Sequence, residues 1–145
     1  MHSHGNQGRK FGRERDQRKA LIKGLATSIV INGQIETTLM KAKEVVPYLE
    51  DLVTKAKKAD LHGRRQVLTG LSTVAAAHKL VDDIAPKLTA RNSGHLRIKQ
   101  TRLRVGDNAQ LAKVSFVDDI TATATPVAQE KPKKVATKAP VKAEK

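Results

Sequence analysis

The chain has 145 residues, with 28 Lys and Arg against 14 Asp and Glu, a net charge of +14, no Cys and only three aromatic rings. That length suits one folded domain, and the lack of Cys excludes disulfides and cysteine-type zinc sites. No apolar run approaches the roughly 20 residues of a membrane-spanning helix, and the polar start Met1-His2-Ser3-His4-Gly5 is not a signal peptide, so the expected location is the cytoplasm.

So unbalanced a chain works against a polyanion, with nucleic acid first and an anionic membrane surface second. Phe11, Tyr48 and Phe116 as its only aromatic rings speak against a module that reads single-stranded bases by stacking on several rings. The chain must rely on phosphates and on the shape of a folded nucleic acid.

The chain divides into an N-terminal arm over residues 1–13, an α+β domain over 14–120 and a tail over 121–145. Residues 1–23 carry net charge +5, 24–90 carry +2, 91–120 carry +3 and 121–145 carry +4. The middle therefore reads as a folded body and the flanks as contact surface. The arm has Gly5, Gly8 and Gly12 among basic residues; it is not expected to fold alone, and RNA would order it.

Leu21, Ile22, Leu25, Ala26, Ile29 and Val30 recur at helical spacing between Asp16 and Asn32, and Gly33 is a suitable stop. Gln34 to Thr37 is short and β-tolerant, and Thr38 can cap a second helix. There Ala42, Val45, Val46, Leu49, Leu52, Val53 and Ala56 form one apolar stripe, interrupted by Pro47, which predicts a kink or restart near Val46. A short helix is expected over Arg64 to Leu71. Ser72 would cap another, with Val74, Ala77, Val81 and Ile84 inward and an end near Pro86.

From Leu96 to Val105 apolar and basic residues interleave, Gly106-Asp107-Asn108 is turn chemistry, and Ala112, Val114 and Phe116 alternate beyond it. This predicts a β-hairpin with one basic face. The architecture expected is α+β, with several helices packed on a two- or three-stranded sheet. The tail from Thr121, rich in Ala, Thr, Lys, Pro and Val, has no periodicity to bury and reads as disordered.

Three cationic clusters stand out. Arg9-Lys10-Phe11-Gly12-Arg13 can follow a curved phosphate track, and Arg15, Arg18, Lys19 and Lys23 extend it along the first helix. Arg91, Arg97, Lys99, Arg102 and Arg104 form a second platform, suited to bidentate phosphate contacts where Arg is used. Lys55, Lys57 and Lys58 read as a solvated face. The apparent nuclear-import patch at Lys131-Pro132-Lys133-Lys134-Val135 reads as cationic tail.

Catalytic readings fail on spacing. His2 and His4 lie in a flexible end, while His62, His78 and His95 lack metal-ligand spacing. The acidic pairs Asp82-Asp83 and Asp118-Asp119 are simplest as solvent charge. Gly8 to Gly12 lacks the Lys-Ser/Thr ending of a phosphate-binding loop.

In this order, Gly8-Arg9-Lys10-Phe11-Gly12-Arg13, Arg18-Lys19-Ala20-Leu21, Ile35-Glu36-Thr37-Thr38-Leu39-Met40-Lys41-Ala42-Lys43-Glu44, Arg64-Arg65, Arg91 with Gly94, Arg97-Ile98 and Arg104-Val105-Gly106-Asp107-Asn108-Ala109 resemble the bacterial large-subunit ribosomal protein seventeen family. The likeness runs from Gly8 to about Asp118. It departs where Ser93-Gly94-His95 stands for the family's frequent Gly-Gly-Tyr, and at Met1-His2-Ser3-His4.

The resemblance implies a protein without catalytic activity, cofactor, metal or small-molecule substrate, and with no membrane partner. It implies binding to large-subunit ribosomal RNA beside neighbouring large-subunit proteins, on the solvent side towards the peptide exit tunnel, in a single copy per ribosome. It adds Lys41, Lys43, Arg64 and Arg65 to the expected RNA-binding residues. The competing reading is a DNA-compacting protein, suggested by the linker-histone-like Lys/Ala/Pro tail; against it stands the lack of helix-turn-helix or winged-helix order.

Overall fold

A computed structural model describes residues 8–58, 60–118 and 120. The expectation for the tail, and that for residues 1–7 of the arm, lie outside the described residues. The order of elements is α1 (Arg15–Asn32), β1 (Gln34–Thr38), α2 (Leu39–Lys57), α3 (Leu61–Gly70), α4 (Val74–His78), β2 (Leu96–Leu103) and β3 (Gln110–Phe116). Between α4 and β2 the chain passes through a π-helical stretch, Lys79–Ile84, and a 3-10 stretch, Ala85–Ala90. The α+β architecture expected from the sequence is the one observed.

Helix α1 ends where Gly33 adopts φ 76° and donates its backbone N–H to Ile29 O at 2.8 Å. Glycine accepts this left-handed geometry without a Cβ penalty. The turn feeds β1, an edge strand of an antiparallel sheet with order β1-β3-β2. The last strand in sequence is thus central: Ile35 faces Val114 on one side of it and Ile98 faces Val114 on the other.

Helix α2 lies against this sheet and buries Ala42, Val45, Leu49, Leu52, Val53 and Ala56, most of the apolar stripe. It runs through Pro47 with no restart. The proline is exposed, and packing on both sides of it outweighs one missing backbone donor. Thr38 occupies the N-cap position, yet its side chain makes no capping bond.

Helix α3 begins three residues before the expected Arg64, because Asp60 caps it: Asp60 Oδ1 accepts from Gly63 N at 2.6 Å. The next cap is Thr73 rather than Ser72, with Thr73 Oγ1 accepting from Ala76 N at 3.4 Å. Ser72 N instead donates to Thr27 Oγ1 at 3.0 Å, tying this junction to α1.

Val74, expected inward, is 62% exposed, whereas Ala77 and Ile84 are buried and Val81 packs partly against the core. The expected helix ending near Pro86 is regular only to His78. Beyond it the helix widens and then tightens, and Pro86 falls in the first turn of the 3-10 segment, where a missing N–H is tolerated.

One core joins the layers: Ile29 and Val30 of α1, Val45, Leu49 and Val53 of α2, Val67 of α3, Leu80, Ile84 and Leu88 of the irregular helix, and Val114 of β3. The hairpin closes as expected around Gly106-Asp107-Asn108, with Arg104 N donating to Ala109 O at 2.9 Å and Asn108 N donating to Arg104 O at 3.0 Å. Its tip projects past the helices, leaving Val105 97% exposed.

A cationic groove between three helices

The N-terminal half of α1, the middle of α2 and the exposed side of α3 enclose a groove of about 970 Å³. Two bonds shape its floor at the C-terminal end of α3. Tyr48 donates its hydroxyl to Gly70 O at 2.7 Å, and Lys23 Nζ donates to Thr69 O at 2.6 Å. Both satisfy carbonyls that a helix end leaves unpaired, and the lysine charge suits the negative end of the helix dipole. Burial, and secondarily the charge of Asp51, pushes the Tyr48 hydroxyl above its ordinary pKa of 10.0, so it remains a donor.

α2 and α3 approach closely enough to form this floor because small residues face α2. A Cβ on Gly70 would lie 2.6 Å from Leu52 Cδ2, and one on Gly63 would lie 2.6 Å from the Lys55 carbonyl oxygen.

Lys10, Arg15, Arg18, Lys19, Lys23 and Arg65, all expected from the sequence, line the groove together, and so does Lys55. Asp51 is the one carboxylate in the lining, and it pairs with Lys55 Nζ at 2.6 Å. Among the described residues, Lys10, Arg15, Arg18, Lys19 and Arg65 have no ion-pair partner. Such convergence of uncompensated cations is self-repelling, and a bound polyanion relieves it.

Residues 8–13 of the arm follow a defined path over one rim. Arg9 Nε lies 3.5 Å from Glu44 Oε1, and Gly8, at φ 78°, would put a Cβ 3.2 Å from Glu44 Oε2. Phe11 at φ 55° and Gly12 at φ 60° form a tight turn, closed by Arg13 N donating to Lys10 O at 3.1 Å. The left-handed region costs a side chain such as Phe11 about 1–2 kcal/mol. Arg13 also donates from its guanidinium to Phe11 O at 3.0 Å.

The other expected residues are distributed elsewhere. Lys41 and Lys43 stand on the first turns of α2, outside the groove. Arg64 faces away from it and pairs with Asp82. Arg91 Nε lies 3.2 Å from Asp118 Oδ1. Arg97, Lys99 and Arg102 are exposed on β2. Arg104 binds Asp107 at the hairpin tip, at 2.9 and 2.5 Å, and the bond holds the Asp107 carboxyl at about 2.

Sequence reasoning missed Lys55, because its place on the groove rim depends on where α3 packs. It also missed Lys113, which sits alone between apolar residues of β3. One member of each acidic pair set aside from the sequence is engaged in an ion pair: Asp82 with Arg64, and Asp118 with Arg91. Among the described residues, no three His, Cys, Asp or Glu side chains gather into a metal-sized cluster, and no helix is long and apolar enough to cross a membrane.

The fold and this groove define a small, strongly basic α+β protein that gathers cations between three helices. The chain belongs to the ribosomal protein L17 family, whose sequence model matches residues 21–117. It is 48% identical over 115 residues to the large ribosomal subunit protein bL17 of Agrobacterium fabrum, covering 79% of this chain and 82% of that protein. The bL17 proteins of Mesorhizobium japonicum and Campylobacter lari are 45% and 47% identical over 115 and 116 residues. These matches cover 79% and 80% of this chain, and 80% and 97% of those proteins.

Proposed function

We propose that this protein is a structural constituent of the large ribosomal subunit that holds ribosomal RNA through phosphate contacts, without catalysis or cofactor. It acts in the cytoplasm as part of the ribosome, in a single copy beside other large-subunit proteins, supporting assembly and translation. The observation that carries the reading is the groove, where five cations without ion-pair partners among the described residues converge in a member of a large-subunit protein family.

The mechanism follows from electrostatics. Phosphates compacted in folded RNA repel one another, and fixed cations on a rigid scaffold offset that repulsion while releasing counterions. Lys23 and Tyr48 hold the floor of the groove, so its geometry is set before RNA arrives. The Arg9–Glu44 pair and the turn at Phe11 and Gly12 pre-shape the near end of the arm, lowering the ordering cost of binding.

The test is sedimentation of tagged protein from growing cells at low and high salt. Co-migration with the large subunit through a high-salt wash is the expected result. Protein that stays at the top of the gradient, or follows chromosomal DNA, would overturn the reading and favour DNA compaction. In binding assays, Lys19→Ala with Arg65→Ala should lower the salt slope by roughly 0.9 for each phosphate left unneutralised, on the duplex scale.

A further inference from the structure

The basic residues of β2 and of the position just after it lie out of phase. Arg97 and Lys99 occupy odd positions and Arg102 and Arg104 even ones, so a regular strand would send the two pairs to opposite faces. The register shows how they are reconciled. Gln100 pairs with Ala112, but the next pair is Leu103 with Gln110: three steps on β2 match two on β3. This one-residue bulge leaves Thr101 and Arg102 together opposite Leu111, and it shifts the phase of everything beyond.

Ala112, Val114 and Phe116 of β3 are buried while Lys113 and Ser115 are half-buried, so the face carrying Lys113 and Ser115 is the outer one, although Leu111 at its bulge end is buried as well. Arg97 pairs with Ser115 and Lys99 with Lys113, which puts both on that face. The bulge adds Arg102 and Arg104 to it. Arg104 is engaged by Asp107, but among the described residues Arg97, Lys99, Arg102 and Lys113 have no ion-pair partner.

A second observation points the same way. Lys99 and Lys113 are direct cross-strand partners, an arrangement in which like charges destabilise a sheet. Glu36 flanks Lys113 in register without pairing with it, and accepts instead from Thr101 Oγ1 at 2.7 Å.

We propose that the outer face of the sheet is a second RNA-backbone site, assembled by the bulge and separate from the groove. It rests on the reading that this protein binds ribosomal RNA. Alternate residues on a strand stand about 6.8 Å apart, a step that suits consecutive phosphates of one RNA strand. An anion between Lys99 and Lys113 removes the repulsion that the free protein carries.

The site lies across α2 from the groove. Tyr48, Asp51, Leu52 and Lys55 line the groove, while Glu50, about 150° around the helix from them, accepts from Leu96 N at the start of β2 at 2.8 Å. The groove and the sheet thus lie on opposite sides of α2, and in this proposal the protein joins two separate RNA segments.

The experiment exchanges neighbours at the bulge, Arg102→Leu with Leu103→Arg, which keeps composition and charge. Residue 103 is exposed at the hairpin tip, so the fold tolerates the exchange. Binding of full-length protein to large-subunit ribosomal RNA should weaken about tenfold, the scale of one charged hydrogen bond, with a salt slope lower by roughly 0.9. Should the exchange prevent folding, Lys113→Gln decides the matter, raising the melting temperature while weakening RNA binding.

Unchanged affinity and slope in the folded exchange variant, or in Lys113→Gln, would overturn the proposal and leave these cations as diffuse charge. A loss seen with duplex DNA but not with ribosomal RNA would overturn it too. Failure of the unmodified protein to bind ribosomal RNA would instead sink the functional reading beneath it.

Discussion

Arg64 donates from Nη2 to both carboxylate oxygens of Asp82, at 2.5 and 2.7 Å, and so ties α3 to the π-helical segment. Its neighbour Arg65 lines the cationic groove instead. Adjacent residues on a helix diverge by about 100°, so one of the pair serves the fold and the other faces the groove. Arg64→Ala should lower stability by about 0.5–1 kcal/mol, as expected of a part-exposed ion pair, with no change in the salt slope of RNA binding. Urea denaturation and salt titration of binding measure the two separately. A lower slope would show that Arg64 also contacts phosphate.

The hairpin tip has a titratable lock. Arg104 and the backbone N–H of Ala109 both donate to Asp107, and the carboxyl falls from an ordinary 3.8 to about 2. Because the folded-state value is the depressed one, the stabilisation is present above about pH 4 and is lost as pH falls towards 2. Asp107→Asn should therefore flatten the melting temperature between pH 4 and 2. It should also release Arg104 and steepen the salt dependence of RNA binding at neutral pH. An unchanged acid limb would mean the pair forms equally in the unfolded chain.

His95 is fully buried, and among the described residues neither ring nitrogen has a hydrogen-bond partner. An unsatisfied buried polar group costs about 1–3 kcal/mol, and an apolar group of similar shape removes that cost. His95→Phe should raise the urea midpoint by the equivalent of about 1 kcal/mol without altering the m-value. A loss of stability would show that the imidazole has a partner in solution, such as a bound water.

Gly63 lies where α3 crosses the backbone of α2. A Cβ there would sit 2.5 Å from Asp60 Oδ1, the capping atom, and 2.6 Å from the Lys55 carbonyl oxygen. Backbone cannot yield as a flexible side chain does. Gly63→Ala should cost about 2–3 kcal/mol, and it should weaken RNA binding by moving Arg65 relative to α1. Retained stability would place the inter-helix contact elsewhere.

Local rules made much of this protein legible in its sequence. The 3.6-residue recurrence of Leu49, Leu52, Val53 and Ala56 places the inner face of α2. Gly33 must end α1, because its left-handed backbone suits glycine, and Gly106-Asp107-Asn108 must turn the hairpin. Each is a property of a few neighbouring residues and needs no partner from far along the chain. The family resemblance was equally readable, resting on ordered motifs from Gly8 to Asp118.

Tertiary structure alone decided which cations remain free. Arg9, Arg64 and Arg91 read as the same kind of residue as Arg15, Arg18 and Arg65, yet the first three meet carboxylates brought by folding. It also tied the Ser72 backbone N–H to Thr27 of α1, while Thr73, and not Ser72, caps α4. The bulge that carries Arg102 to the outer face was hidden for the same reason: strand phase depends on the partner strand. Composition sets how much charge a chain carries, but its availability depends on distances between residues remote in sequence, and only packing determines those.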